Sequence, residues 1–132
     1  MGAERAILLV DDEAIILLAL RQELRTALGA AYRFEIAVSA AEALEVIESL
    51  DSQGIMVDLV VSDWLMPGMR GDEFLMRVRE RRPEVKTVMI SGQTDEDRLD
   101  RLKASGALDA FVRKPWNSFR LAVECRRLLA GG

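Results

Sequence analysis

Short runs rich in Val and Ile alternate along the chain with longer stretches of helical spacing. The short runs are Ala6–Val10, Arg33–Val38, Asp58–Val61, Thr87–Ile90 and Ala110–Val112. Three of them are nearly continuous hydrophobics, the pattern of strands buried on both faces of a parallel sheet. Between them, Ser39-Ala40-Ala41-Glu42 is a capping-box pattern ahead of Ala43, Leu44, Val46 and Ile47. Gly71-Asp72 opens a helical stretch with Phe74, Leu75 and Val78 that Pro83 ends. Asp95–Lys103 is highly charged, with Leu99 and Leu102 as its large apolar residues. Asn117 caps a last helix in which Leu121, Cys125 and Leu128 share one face, so Cys125 is read as a small core residue. In the first helical stretch Ile16, Leu20 and Leu24 fit a core face. Ile15, Leu17 and Leu18 exceed what one apolar stripe needs and predict an exposed docking patch.

Five strands alternating with five helices predict a three-layer α/β/α fold around a five-stranded parallel sheet. Right-handed crossovers leave few topologies. The expectation is the doubly wound, flavodoxin-like order 2-1-3-4-5, with ligands bound beyond the carboxyl ends of the strands at the switch point.

The length of 132 residues fits one domain. Eighteen Lys and Arg against 22 Asp and Glu give a net charge of −4, which argues against direct nucleic-acid binding. The four arginines of the Arg77–Arg82 run are read as a solvated helix face. There is no histidine, so imidazole is neither base, ligand nor phosphoryl carrier within this chain. One cysteine excludes an intrachain disulfide and a Cys-rich zinc site. The longest apolar run, Ala14–Leu20, is far short of the roughly 20 residues of a membrane span. The N-terminal apolar run ends on Asp11 and Asp12 and is no signal peptide, and Ala6 occupies the position where myristoylation wants Ser or Thr. The expected location is cytoplasmic.

The polar residues at the strand ends carry the chemistry. Asp11 and Asp12 follow the first strand, Asp63 the third, Ser91 the fourth and Lys114 the fifth. Singly, each is an ordinary turn, cap or surface residue. In the order 2-1-3-4-5 they converge on one rim. Clustered carboxylates repel unless a cation joins them. Mg²⁺ suits the set, being hard and taking one or two carboxylates with waters and phosphate oxygens. A carboxylate can also attack phosphorus to form an aspartyl phosphate.

Val10-Asp11-Asp12-Glu13, Ser62-Asp63-Trp64-Leu65-Met66-Pro67-Gly68-Met69, Ser91-Gly92 and Lys114-Pro115, taken in order, resemble the motifs of two-component response regulator receiver domains. The resemblance spans about Ala6 to Leu129. It implies that Asp63 accepts the phosphoryl group. Asp12 would ligate Mg²⁺ or Mn²⁺ directly, with Asp11 assisting and the backbone carbonyl of Leu65 as a further ligand. Lys114 would pair with the carboxylate or the phosphoryl group. Ser91 and Phe111 would be the switch pair, and Lys114-Pro115 would be cis. The implied donor is a sensor histidine kinase or a histidine phosphotransfer protein. The strand 5 side, with Trp116 and Phe119, would serve output contacts or a homodimer.

The implied role is a phosphoacceptor switch and not an enzyme, with residues 1–132 as a single receiver domain lacking an output domain. The sequence departs from the common pattern at Phe111, often Tyr, and at Arg70, where an acid is frequent. Two competing readings fit less well. A haloacid dehalogenase-type phosphatase wants D-x-D after the first strand, where this chain has the adjacent pair Asp11-Asp12. A flavodoxin-like FMN carrier wants a Ser/Thr-rich loop there. Leu65 and Gln93 would flank the path of a hydrolytic water, and exclusion by Leu65 predicts a long-lived phosphoryl state.

Overall fold

The computed structural model describes residues 4–92 and 95–131. Strands and helices alternate: β1 (Arg5–Val10), α1 (Ala14–Leu28), β2 (Arg33–Ala37), α2 (Ala40–Ser52), β3 (Met56–Asp63), α3 (Gly71–Arg81), β4 (Lys86–Ser91), α4 (Glu96–Ala104), β5 (Ala110–Arg113) and α5 (Ser118–Leu129). A 3-10 turn, Gly29–Ala31, follows α1. The sheet is parallel in the order β2-β1-β3-β4-β5, as the alternation predicts.

The continuous apolar runs are explained by two cores, one on each face. Ala6, Leu8, Val10, Val60 and Met89 point to α2, α3 and α4. Ile7, Leu9, Leu59, Val61, Val88, Ile90 and Val112 point to α1 and α5. A strand in the middle of such a sheet has no solvent face, so both members of each alternating pair are apolar. Among the described residues no helix is long and apolar enough to cross a membrane.

Local sequence sets the helix ends largely as expected. The Ser39 side chain accepts from the Glu42 N–H at 3.1 Å, and Asp95 and Asn117 cap α4 and α5 in the same way. Leu121, Cys125 and Leu128 are buried together, and burial pushes the Cys125 thiol up to about 12. Two expectations need correction. The buried stripe of α1 is Leu17, Leu20 and Leu24, while Ile16 is half-buried and Ile15 and Leu18 are exposed. Leu17 therefore belongs to the core and not to a surface patch, because the i, i+3, i+7 spacing from Leu17 faces the sheet. The other correction is β3, which starts at Met56 and not at Asp58. Ala6 and Ile7 of β1 pair with Val57 and Leu59, so Asp58 is an extra residue in the ladder. Its carboxylate leaves the sheet to meet Arg5 at 2.7 Å. This irregularity resets the alternation so that Leu59 faces α1 and α5.

The register levels the carboxyl ends of the strands. Val10 pairs with Ser62, Asp63 with Ile90 and Ser91 with Arg113. Gly71 fixes the loop between β3 and α3: its N–H donates to the Trp64 carbonyl at 2.8 Å. A Cβ on Gly71 would run into the Asp63 carbonyl oxygen and lie 3.0 Å from the Trp64 Cα. Helix propensity alone would make Gly71→Ala stabilising by about 1 kcal/mol. We expect the opposite sign, a loss of about 1–3 kcal/mol in urea unfolding, because the backbone of β3 cannot yield without moving Asp63. A variant at least as stable as the parent would show that the approach is not constraining.

Candidate functional site

The level strand ends bring Asp11, Asp12 and Asp63 together. One carboxylate oxygen from each lies within 4.8 Å of the others. Asp11 and Asp63 are buried and Asp12 is exposed. Lys114, arriving from the end of β5, places Nζ 3.1 Å from Asp11 Oδ2 and 3.4 Å from Asp63 Oδ1. The Lys114 N–H donates to the Ser91 carbonyl at 3.0 Å, and the following Lys114-Pro115 peptide is cis, as expected.

The acids are not equivalent. Asp11 uses both oxygens, Oδ1 accepting from the Glu13 N–H at 2.9 Å and Oδ2 meeting Lys114. Asp63 Oδ1 accepts from the Trp64 N–H at 2.8 Å and faces Lys114. Among the described residues, Asp63 Oδ2 and the whole Asp12 carboxylate have no hydrogen-bond partner. Those are the oxygens free to bind something else. Burial, then the charge of Asp11, holds the Asp63 carboxyl above its ordinary range, against the pull of Lys114 and the Trp64 N–H. Burial works against the Lys114 ammonium, but the hydrogen bond to Asp11 and the charges of Asp63 and Asp11 outweigh it and lift its pKa. Lys114 is therefore a fixed cation against an excess of negative charge.

The other expected residues are placed less tightly. Ser91 is buried at the end of β4, on the strand next to Asp63. Phe111 is half-buried against the core on the α2, α3 and α4 face and is not part of the acid cluster. Leu65 is 43% exposed in the loop after β3. Arg70 is exposed and caps α3 by its backbone alone. Gln93 lies outside the described residues. Beside Lys114, a cavity of about 420 Å³ is lined by Ile16, Glu23, Lys114, Pro115 and Trp116.

Two features escaped the sequence reading. Glu23 of α1 accepts from the Trp116 indole N–H and, at 2.6 Å, from the Ser118 hydroxyl, tying α1 to the segment after Lys114. Phe119 is 75% exposed beyond it. The arginine run is engaged within the fold: Arg77 pairs with Glu73, Arg79 with Asp109, Arg81 with Glu48 and Arg82 with Asp51. Arg77 and Arg81 are exposed, as a solvated face requires, while Arg79 and Arg82 are half-buried in their ion pairs.

A doubly wound sheet with three acids and a lysine on its carboxyl rim defines a candidate divalent-cation site at the switch point. The family model described as "response regulator receiver domain" matches residues 7–126. The sensor kinase CckA of Brucella abortus (strain 2308) is 32% identical over 98% of this chain and 13% of its own length. The two-component response regulator ORR6 of Oryza sativa subsp. japonica is 31% identical over 96% of this chain and 72% of its own. The chain thus spans between about an eighth and three quarters of these two relatives. A solved CheY-like receiver domain from Methanospirillum hungatei JF-1 superposes with a TM-score of 0.83 at 29% identity, covering 98% of this chain and 96% of that one. The signal receiver domain of an HD domain-containing protein from Pseudomonas fluorescens Pf-5 gives 0.85 at 27%, covering 99% and 90%. The chain belongs to the response regulator receiver domain family. Receiver domains bind Mg²⁺ at a cluster of acidic residues, and this chain has such a group.

The raised Asp63 pKa has a sign that can be checked. The folded state binds the Asp63 proton more tightly than the unfolded chain. Ionised Asp63 therefore costs stability, from the unfolded value near 3.8 upward to the folded value and constantly above it. Without divalent cations, Asp63→Asn should be more stable than the parent at pH 7, and the gain should vanish below about pH 4. Urea unfolding in chelator at the two pH values measures this. A less stable variant at pH 7 would mean that the Lys114 contact outweighs burial.

Proposed function

We propose that this domain is a phosphoacceptor switch in which Asp63 takes a phosphoryl group from the phosphohistidine of a sensor histidine kinase or histidine phosphotransfer protein. The observation that carries the reading is the division of labour on Asp63. Oδ1 is held by the Trp64 N–H and faced by Lys114, while Oδ2 has no hydrogen-bond partner among the described residues. Oδ2 attacks phosphorus, the O–P bond forms, and the P–N bond breaks with its electron pair leaving on the imidazole. Mg²⁺ or Mn²⁺ held by these acids would supply positive charge against the developing negative charge of the transfer. Asp12, exposed and without a hydrogen-bond partner among the described residues, and Asp63 fit as its direct carboxylates, and the family resemblance adds the Leu65 carbonyl as a third protein ligand. Asp11 fits the outer role, since both its oxygens are in use. Lys114 neutralises charge on the acceptor side, and the Ser91 hydroxyl, from the adjacent strand end, takes a phosphoryl oxygen as Phe111 turns inward.

The chain on this reading promotes only its own phosphorylation and dephosphorylation. Leu65 offers a hydrolytic water no hydrogen bond, which supports a long-lived phosphoryl state. The reading places the domain in the cytoplasm, where phosphohistidine donors are made. Incubation with acetyl phosphate and Mg²⁺ should add one phosphoryl mass, and Asp63→Asn should abolish it. Asp12→Ala should weaken Mg²⁺ binding at least about tenfold, the factor that 1.4 kcal/mol represents. The readout is Trp64 fluorescence in a Trp116→Phe background. Full labelling of Asp63→Asn, or an unchanged titration in Asp12→Ala, would overturn the assignment.

The donor needs a surface near this rim. Ile15 and Leu18 are 74% and 50% exposed on α1, and Phe119 is exposed at the start of α5, on either side of the Glu23 link. We expect Leu18→Asp to slow transfer from a phosphorylated kinase while acetyl phosphate labelling stays intact. Equal loss in both assays would place Leu18 in the fold and not in the contact.

A further inference from the structure

Asp72, one residue past the glycine that packs on Asp63, is 5% exposed. Its Oδ2 receives a single contact, from Arg98 Nη1 of α4 at 3.1 Å. Its Oδ1 is buried with no hydrogen-bond partner among the described residues. A buried carboxylate satisfied on one oxygen is a poor stability device, because desolvation consumes much of the attraction. An apolar residue there would pack without that cost. Arg98 also has a second partner in reach: Asp95 Oδ2, on its own helix, lies 3.7 Å from Nε. One guanidinium thus faces a buried acid on α3 through Nη1 and the exposed N-cap acid of α4 through Nε.

The helix it holds is the least anchored of the five. Leu99 and Leu102 are the buried residues of α4, and its remaining positions are mostly charged. Three buried leucines anchor α1. Four buried side chains each hold α2 and α5. At the other end of the contact, Asp72 shares the backbone of Gly71, which is hydrogen-bonded to Trp64 and abuts the Asp63 carbonyl. A shift of the Asp63 loop is thus a shift of Asp72.

We infer that the Asp72–Arg98 ion pair is a latch that holds α4 against α3 in the resting state and is released when Asp63 is phosphorylated, Arg98 keeping only its contact with Asp95. The inference rests on Asp63 being the phosphoacceptor. Phosphorylation replaces a singly charged carboxylate with an acyl phosphate of roughly two negative charges, and its bulk acts on Asp72 through the Gly71 backbone that abuts Asp63. By linkage, a contact made only in the resting state opposes phosphorylation by the same factor by which phosphorylation opposes the contact.

The test uses Arg98→Gln, which keeps the length of the side chain and removes its charge, with Arg101→Gln on the same helix as control. In the unphosphorylated protein, hydrogen exchange read by mass spectrometry should show α4 amides of Arg98→Gln exchanging faster, with α1 and α5 unchanged. Labelling by acetyl phosphate in Mg²⁺ should be about two- to fivefold faster, the factor that a partly exposed ion pair carries. Asp72→Asn should give the same two changes, and the double variant should equal either single one. Unchanged α4 exchange in Arg98→Gln overturns the latch. Unchanged or slower labelling overturns its release on phosphorylation, as does additivity of the two substitutions. A parent protein that takes no label overturns the Asp63 reading instead, and the exchange comparison still decides whether the pair holds α4.

Discussion

Two buried carboxylates and one ammonium at the carboxyl rim of the sheet set the terms for the rest of this molecule. Asp11 and Asp63 are held close by strands whose register is fixed by apolar side chains on both faces. The chain cannot relax their repulsion by moving one away without breaking a ladder. Lys114 meets both, yet a single cation leaves a net negative site once Asp12 is included. The conflict is therefore permanent in the isolated fold. Folding energy from two cores maintains it, and a cation at the rim relieves it.

The opposite end of the same strands shows what a settled arrangement looks like. Asp109, entering β5, accepts from Arg79 at 2.7 Å and from the Thr87 N–H at 2.8 Å. Thr87 in turn donates its hydroxyl to the Ala107 carbonyl. Arg79 Nε is buried without a partner among the described residues, yet the Asp109 carboxylate meets both a guanidinium and a backbone N–H, and α3, β4 and β5 are tied together there. The same α3 is therefore tied to two strands through Arg79 and Asp109 at one end, and to one helix by a single ion pair at Asp72 at the other. A displacement generated at the rim has less resistance near Gly71 than near Arg79.

The parts legible in the sequence were those where one residue type has one physical use. Continuous Val and Ile runs mean strands with no wet face, and the strand order followed from their alternation with helices. Asp, Ser and Lys directly after such runs marked the rim, because strand ends in a parallel sheet share a level. The rest depended on partners that no local pattern shows. Leu17 and Ile16 both fit a helical stripe, and only the sheet beneath decides between them. Asp58 read as the start of a strand because a charge inside one is uncommon, and its partner Arg5 comes from another strand. Glu23 and Asp72 looked like ordinary helix acids. Their roles come from Trp116 and Ser118 in one case and from Arg98 in the other, residues far away in the chain.

These long-range ties divide the surface into two kinds. On the α1 and α5 face, the Glu23 contacts and the Arg126 guanidinium on the Ala27 carbonyl cross-link helices that already share a large apolar core. Exposed Ile15, Leu18 and Phe119 are displayed there on a stiff frame, which suits a contact made the same way each time. On the other face, α4 is attached by few buried groups and follows Ser91 closely in sequence, so its position is open to small changes in electrostatics. A module that must accept a group in one geometry and then report it needs both. On the proposed reading, the stiff face keeps the acceptor presented while the loose one carries the consequence. Charge repulsion at Asp63 would then make the loose face responsive, since a site already at electrostatic balance would have nothing to transmit on gaining a phosphoryl group.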